Sequence, residues 1–251
     1  MHLQTAELVK ARLASRPDQS AALLTVLNDE WPAFYFGSAA PDFQSICGIP
    51  REDTHFYRMP PDPDNMAYTR MFASYPELAD AGHLPAAKMV FLAGYIAHLL
   101  LDLVWFRQIL VPMFFRAEQL GSRQQRHLLH LILLAYLDRV ALKALPDSAA
   151  VTMASAQPVQ WLPFGGDEEL RQWRDYLVPQ LKPGAVTQTT EIYAARLGVT
   201  EEAFAGKLKD GAWLQSHLFS QVPVPRVQQI LRDAVPPTIQ LIEDYCAGRL
   251  M

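Results

Sequence analysis

The sequence predicts an all-α protein, and three observations carry that reading. Apolar residues recur at helical spacing along most of the long segments. No segment sustains the apolar–polar alternation of a half-buried strand. Helix-start signals also stand where the helical pattern begins: Ser122 with Gln125 three residues on forms a capping box, and Thr200 precedes Glu201 and Glu202, whose charges suit a helix N-terminus.

Taken in order, residues from about 4 to 14 and from about 18 to 29 read as two short helices, the second capped by Asp18 after Pro17. Trp31 to Ala40 reads as another brief helix, ended by Pro41. From there to Pro85 the chain carries Pro41, Pro50, Pro60, Pro61, Pro63, Pro76 and Pro85, which must interrupt regular structure. Its aromatic residues (Phe43, Phe56, Tyr57, Tyr68, Phe72 and Tyr75) argue that this stretch packs, and some of them are candidates to line an apolar groove. Ala86 to about Gln108 is the most apolar stretch, and Ser122 then opens a helix to about Leu145. A second loop, Pro146 to Gly166, leads to amphipathic helices near 167–178, 187–197, 200–219 and 224–248. We read residues 1–251 as a single helical domain, with a first part over about 1–145 and additional helices over about 167–251.

Composition sets outer bounds. Half of the residues are hydrophobic and 19% are charged, the balance of a globular protein. The formal net charge of −4 offers no electrostatic footprint for duplex nucleic acid. Cys47 and Cys246 are the only cysteines, too few for a thiolate zinc site, and they read as free thiols of a reducing compartment. The first residues carry Glu7, Lys10 and Arg12 and read as a helix rather than a secretory signal, so the expected location is cytoplasmic.

Met89 to Phe106 is a run of eighteen nearly all apolar residues, long enough to span a bilayer. His98 and Asp102 interrupt it, and an aspartate at bilayer depth is costly. An interior helix wrapped by others explains the same pattern, so no transmembrane segment is expected.

His98 and Asp102 stand four residues apart, on one face of that helix. Two ionisable groups on a buried helix need compensation. A hydrogen bond between them would supply it, and so would a divalent metal, since imidazole nitrogen and carboxylate oxygen are good zinc ligands. Upstream, Asp42 and His55 lie in the proline-rich stretch, each flanked by aromatics.

Three segments, GSAAPDF (37–43), EDTHFY (52–57) and FLAGYIAHLLLDLVW (91–105), resemble the ordered motifs of the zinc-dependent phospholipase C family, relatives of the fungal single-strand-specific zinc nucleases. Gly94, Tyr95, His98 and Asp102 match that family's GYxxHxxxD motif position for position. The resemblance implies an all-α bundle around a buried metal site, with Asp42, His55, His98 and Asp102 holding zinc and Asp102 able to bridge to a second ion. His2 stands where the family places an early histidine, and reads equally as a terminal residue with no such role. The family's later ligands are poorly matched. Gln108 replaces a histidine, and Leu131 and Leu134 stand where the acid of an HxxxE motif would follow His127 or His130. His130 remains a candidate ligand, and one or two ions are expected rather than three.

The function expected from the resemblance is zinc-dependent hydrolysis of a small-molecule or lipid phosphoester, with Asp42 also orienting the attacking water. The alternative is a metal-binding scaffold that has lost catalysis. Gly165-Gly166 before a helix reads as a turn, or as an anion site.

Overall fold

The computed structural model describes residues 1–62, 66–185 and 187–250, with the side chains of 17–20 outside the description. The α-helices are α1 (His2–Ala14), α2 (Pro17–Asp29), α3 (Trp31–Gly37), α4 (Gln44–Cys47), α5 (Arg51–His55), α6 (Ala67–Ser74), α7 (Ala86–Trp105) and α8 (Arg123–Ala144). They continue with α9 (Ala149–Ala154), α10 (Asp167–Leu177), α11 (Thr189–Leu197), α12 (Glu201–Lys209), α13 (Gly211–Leu214), α14 (Val224–Asp233) and α15 (Val235–Cys246). Among the described residues there is no strand.

The expected helices form, and prolines and caps account for most differences. α2 begins at Pro17, a residue pre-organised for a first turn, with Arg16 at the cap; the side chain of Asp18, the expected cap, lies outside the described residues. α3 stops at Gly37, short of Ala40, and Pro41 starts a 3₁₀ turn over Ala40–Phe43 instead of ending a helix. The capping box of Ser122 and Gln125 forms as predicted, and Thr200 accepts a hydrogen bond from the Ala203 amide. The expected helix over 200–219 divides because Asp210 caps a fresh start, accepting from the Trp213 amide at 2.9 Å. The one expected over 224–248 divides at Ala234, because Pro236 and Pro237 supply no amide hydrogen to continue α14. The second loop contains α9.

α7 does not end near Gln108. It widens into a π-helix over Phe106–Phe115 that contains Pro112, and the wider turn accommodates a residue that an α-helix interior would exclude. The combined helix, Ala86–Phe115, is long and apolar enough to cross a membrane, yet 72% of its most apolar window is buried inside this fold.

Two hydrophobic cores result. The first gathers α1, α3, α6, α7, α10 and α15, with Phe43, Phe56, Tyr57 and Phe72 of the proline-rich stretch buried in it. The second lies between the π-helix, α8, α11, α12 and α14. The later helices therefore do not form a layer of their own. α15 returns to the first core, where the Tyr245 hydroxyl donates to the Leu78 carbonyl at 2.9 Å.

The tightest joint in the molecule is the crossing of α3 and α7. A Cβ on Gly94 would lie 2.3 Å from the Phe34 carbonyl oxygen, and one on Gly37 would lie 2.1 Å from that of Phe91. Only glycine permits this backbone-to-backbone approach. It lays residues 38–43 along the face of α7 that carries His98 and Asp102.

Candidate metal centre

Three elements deliver the cluster. α7 contributes His98 and Asp102 from one face, one turn apart. The 3₁₀ turn after α3 contributes Asp42, held by the buried Ala40, Pro41 and Phe43 and by Trp173, whose indole N–H donates to the Ala39 carbonyl at 2.8 Å. α5 contributes His55 as its last residue. That helix stops there because Phe56 adopts a left-handed backbone, φ 57°, with its ring wedged against Phe164 at 5.0 Å. A non-glycine residue in this region costs about 1–2 kcal/mol, which the aromatic packing offsets.

Both imidazoles are oriented from behind. His98 Nδ1–H donates to the Ser38 carbonyl at 2.9 Å. His55 Nδ1 lies 2.9 Å from the Thr54 hydroxyl, which itself donates to the Arg51 carbonyl at 3.2 Å and so accepts from His55. Each ring is thereby fixed in the tautomer whose Nε2 carries the lone pair. Both Nε2 atoms are buried and have no hydrogen-bond partner. A buried polar atom left unpaired is expensive, and two that point at the same carboxylates call for a ligand.

His55 Nε2 is 3.4 Å from Asp42 Oδ1 and 3.6 Å from Asp102 Oδ2; His98 Nε2 is 4.0 Å from Asp42 Oδ2 and 3.9 Å from Asp102 Oδ1. Ligand atoms about 2.0–2.2 Å from a tetrahedral zinc are separated by roughly 3.3–3.6 Å, so these gaps are close to a zinc shell and slightly open. The donor set fits the metal. Asp42, His55 and His98 form one group that could hold an ion, and His2, His98 and Asp102 form another.

His2 stacks on His98 with ring centroids 3.7 Å apart, and its Nε2 lies 3.5 Å from Asp102 Oδ1. Burial and the neighbouring His98 hold the His2 imidazole well below its ordinary pKa, so it is neutral and ready to coordinate. Burial likewise lowers His98, against the opposing pull of Asp102 and Asp42. Burial raises the carboxyl of Asp42, but the three imidazoles around it, His55, His98 and His2, outweigh it and hold the group below the usual carboxylate range. Its side chain is still 42% exposed, so solvent screens part of this effect.

His130 is placed elsewhere. Its Nε2 accepts the Trp105 indole N–H at 3.0 Å, so its lone pair is spent, and it belongs to neither group. Gln108 is exposed and contributes nothing to the cluster. At Gly165-Gly166 the helix that follows opens with Asp167, Glu168 and Glu169, and the Glu169 carboxylate crowds Gly166; this is a turn and repels anions.

The sequence reading missed two residues. Arg51 donates to Asp102 Oδ2, and Tyr57 donates to the same oxygen at 3.1 Å. Asp102 therefore presents one oxygen to His2 and His98 and commits the other largely to Arg51 and Tyr57. Arg51 stands four residues before His55, on the same helix face; that spacing was the available signal, but its partner lies 51 residues away.

The cluster opens on a cavity of about 500 Å³. Its lining mixes polar groups, among them His2, Asp42, Asp102 and Arg51, with the apolar side chains of Phe106, Leu110, Leu131 and Leu134.

An all-α chain with a buried imidazole–carboxylate cluster at the head of an amphipathic cavity defines a narrow class of protein. A family model described as zinc dependent phospholipase C matches residues 1–152, more than half of the chain, and the protein belongs to that family. No curated protein and no solved structure matches it.

Proposed function

We propose that this protein is a zinc-dependent hydrolase of phosphodiesters that carry a hydrocarbon substituent, with Asp42, His55, His98 and Asp102 as ligands of one ion. The observation that supports this most directly is the pair of unpartnered Nε2 atoms facing two carboxylates that line a half-apolar cavity. Zinc, when bound, supplies Lewis-acid polarisation of a phosphoryl oxygen and lowers the pKa of water. The chain's own residues do the rest. Asp42, ionised and partly exposed, accepts a hydrogen bond from the attacking water and orients it; its depressed pKa makes it a weak base. Arg51, anchored through one Nη to Asp102 and Tyr57, borders the cavity with its remaining N–H groups and takes a phosphoryl oxygen. Phe106, Leu110, Leu131 and Leu134 receive the hydrocarbon.

A single ion is part of the proposal. His98 has one free lone pair, because Nδ1–H is held by Ser38, so it cannot serve both groups at once. The separate Cys47 and Cys246, whose thiol is pushed up to about 11 by burial, fit the proposed reducing, cytoplasmic setting.

One observation favours a second reading, a scaffold that binds metal without turnover: the Arg51 ion pair already neutralises much of Asp102. Hydrolysis of a chromogenic phosphodiester separates the two. Zinc-supported turnover that is abolished by a chelator and reduced at least about a hundredfold in Asp42→Asn is expected. A fully zinc-loaded protein with no turnover on phosphodiesters or phospholipids would establish the scaffold.

A further inference from the structure

The mouth of this cavity carries apolar side chains that the fold leaves uncovered. Met59 is 52% exposed and Phe115 is 54% exposed, and both line the same cavity as the candidate metal ligands. They come from different elements, the loop after α5 and the last turn of the π-helix. Phe115 has folding partners that would not need it exposed: its ring meets Phe106 edge-on at 6.3 Å, yet more than half of the residue faces out.

Cations flank both residues in sequence. Arg58 precedes Met59 and Arg116 follows Phe115, both exposed, and exposed Arg123 lies at the start of α8. Arg126 donates to the Phe115 carbonyl at 2.6 Å. The nearby acids in sequence are Asp53, Asp62 and Asp64 around Met59, with Asp62 paired with Arg70, and Glu118 beside Phe115. Around Phe115, Arg116, Arg123 and Arg126 outnumber Glu118, so in a chain of net charge −4 that side of the rim is locally basic. Exposed apolar anchors flanked by arginines, on the rim of a cavity partly lined by leucine and phenylalanine side chains, match the outer layer of an anionic bilayer.

We infer that this rim is a membrane-docking surface: Met59 and Phe115 dip into the headgroup–acyl boundary of an anionic bilayer, and Arg58, Arg116, Arg123 and Arg126 meet its phosphates. The inference builds on the lipid-phosphoester reading above and gives it a route. A lipid enters the cavity from the bilayer plane, its chain passing along Phe106 and Leu110 while its phosphate travels toward Arg51. The helix Ala86–Phe115 stays inside the protein, and only its last residue meets lipid.

Co-sedimentation of the full chain with vesicles tests this without any turnover. Vesicles of equimolar phosphatidylcholine and phosphatidylserine should retain the protein, and pure phosphatidylcholine vesicles should retain much less. Met59→Ser/Phe115→Ser should weaken retention at least about fivefold. Arg58→Gln/Arg116→Gln should remove the preference for anionic vesicles. Val159→Ser, which removes a still more exposed valine that does not line the cavity, should bind like wild type. Unchanged melting temperatures show that the variants fold. Wild-type protein left in the supernatant with both vesicles overturns the inference, as does undiminished binding by the Met59/Phe115 variant. Because binding is read without hydrolysis, an inactive protein that still docks would break the proposed activity and leave this surface standing.

Discussion

Two long helices, α7 and α8, each carry a histidine inward, and the two histidines end in opposite chemical states. His98 on α7 gives its Nδ1–H to a backbone carbonyl and leaves Nε2 bare before two carboxylates. His130 on α8 spends Nε2 on the Trp105 indole and sits among the Phe114 and Trp105 rings. Both are largely buried, so burial does not distinguish a ligand from a packing residue. The distinction lies in which nitrogen is already spoken for, and by what.

The sharpest break of this comparison is substitution of each histidine in turn. His98→Ala should weaken zinc binding by at least roughly a hundredfold, since even partners behind a ligand matter ten- to a hundredfold. His130→Gln, which keeps an acceptor for the indole, should leave zinc content unchanged. Metal analysis after gel filtration reads both. Equal losses would show that α8 also supplies a ligand, and no loss in His98→Ala would remove α7 from the site.

The second contrast is in how the helices are held. Gly94→Ala drives a Cβ into the Phe34 carbonyl, a backbone atom that cannot rotate away. The expected cost is about 3 kcal/mol, or a fall in melting temperature of roughly 6–12 °C for a chain of this size. Gly206→Ala, in α12 against the second core, meets nothing within 4 Å and should raise the melting temperature slightly. A neutral Gly94→Ala would mean that the α3–α7 joint has slack.

The smallest effect is with pH. Burial, with His127 nearby, lowers the His130 pKa from 6.5 to about 3. The unfolded chain therefore binds a proton that the folded chain refuses, and stability present above pH 6.5 is lost as pH falls toward 3. In the zinc-loaded protein, urea midpoints at neutral and mildly acid pH should converge in His130→Gln relative to wild type. An unchanged slope would show that His130 takes up its proton without unfolding.

Much of this was legible in the sequence, for a physical reason: information that is local in sequence survives without coordinates. The i, i+4 spacing placed His98 and Asp102 on one face, and the motif match singled out Gly94 on the same helix. The caps at Ser122 and Thr200 and the packing of the proline-rich aromatics were equally local. What was lost depends on contacts between distant segments. Gly37 is the unrecognised half of the α3–α7 joint, since a lone glycine at a helix end reads as an ordinary terminator. Arg51 was overlooked because a surface-type side chain acquires meaning only when Asp102 arrives beside it. The state of His130 required knowing where Trp105 points. The return of α15 to the first core, past a second core built from the helices before it, is beyond any local pattern.

The α3–α7 joint carries one more consequence. Asp42 and His98 reach the cluster from two chain segments whose separation is fixed by peptide groups touching peptide groups, with no side chain between them to act as a shim. Such a joint cannot breathe by rotamer exchange; it separates only when the helices themselves part. Amide protons at 34–38 and 91–98 should therefore be among the last to exchange with solvent, on the timescale of global opening. An ion held by this cluster would be clamped by the most slowly opening part of the molecule, and its escape into a chelator would keep time with unfolding.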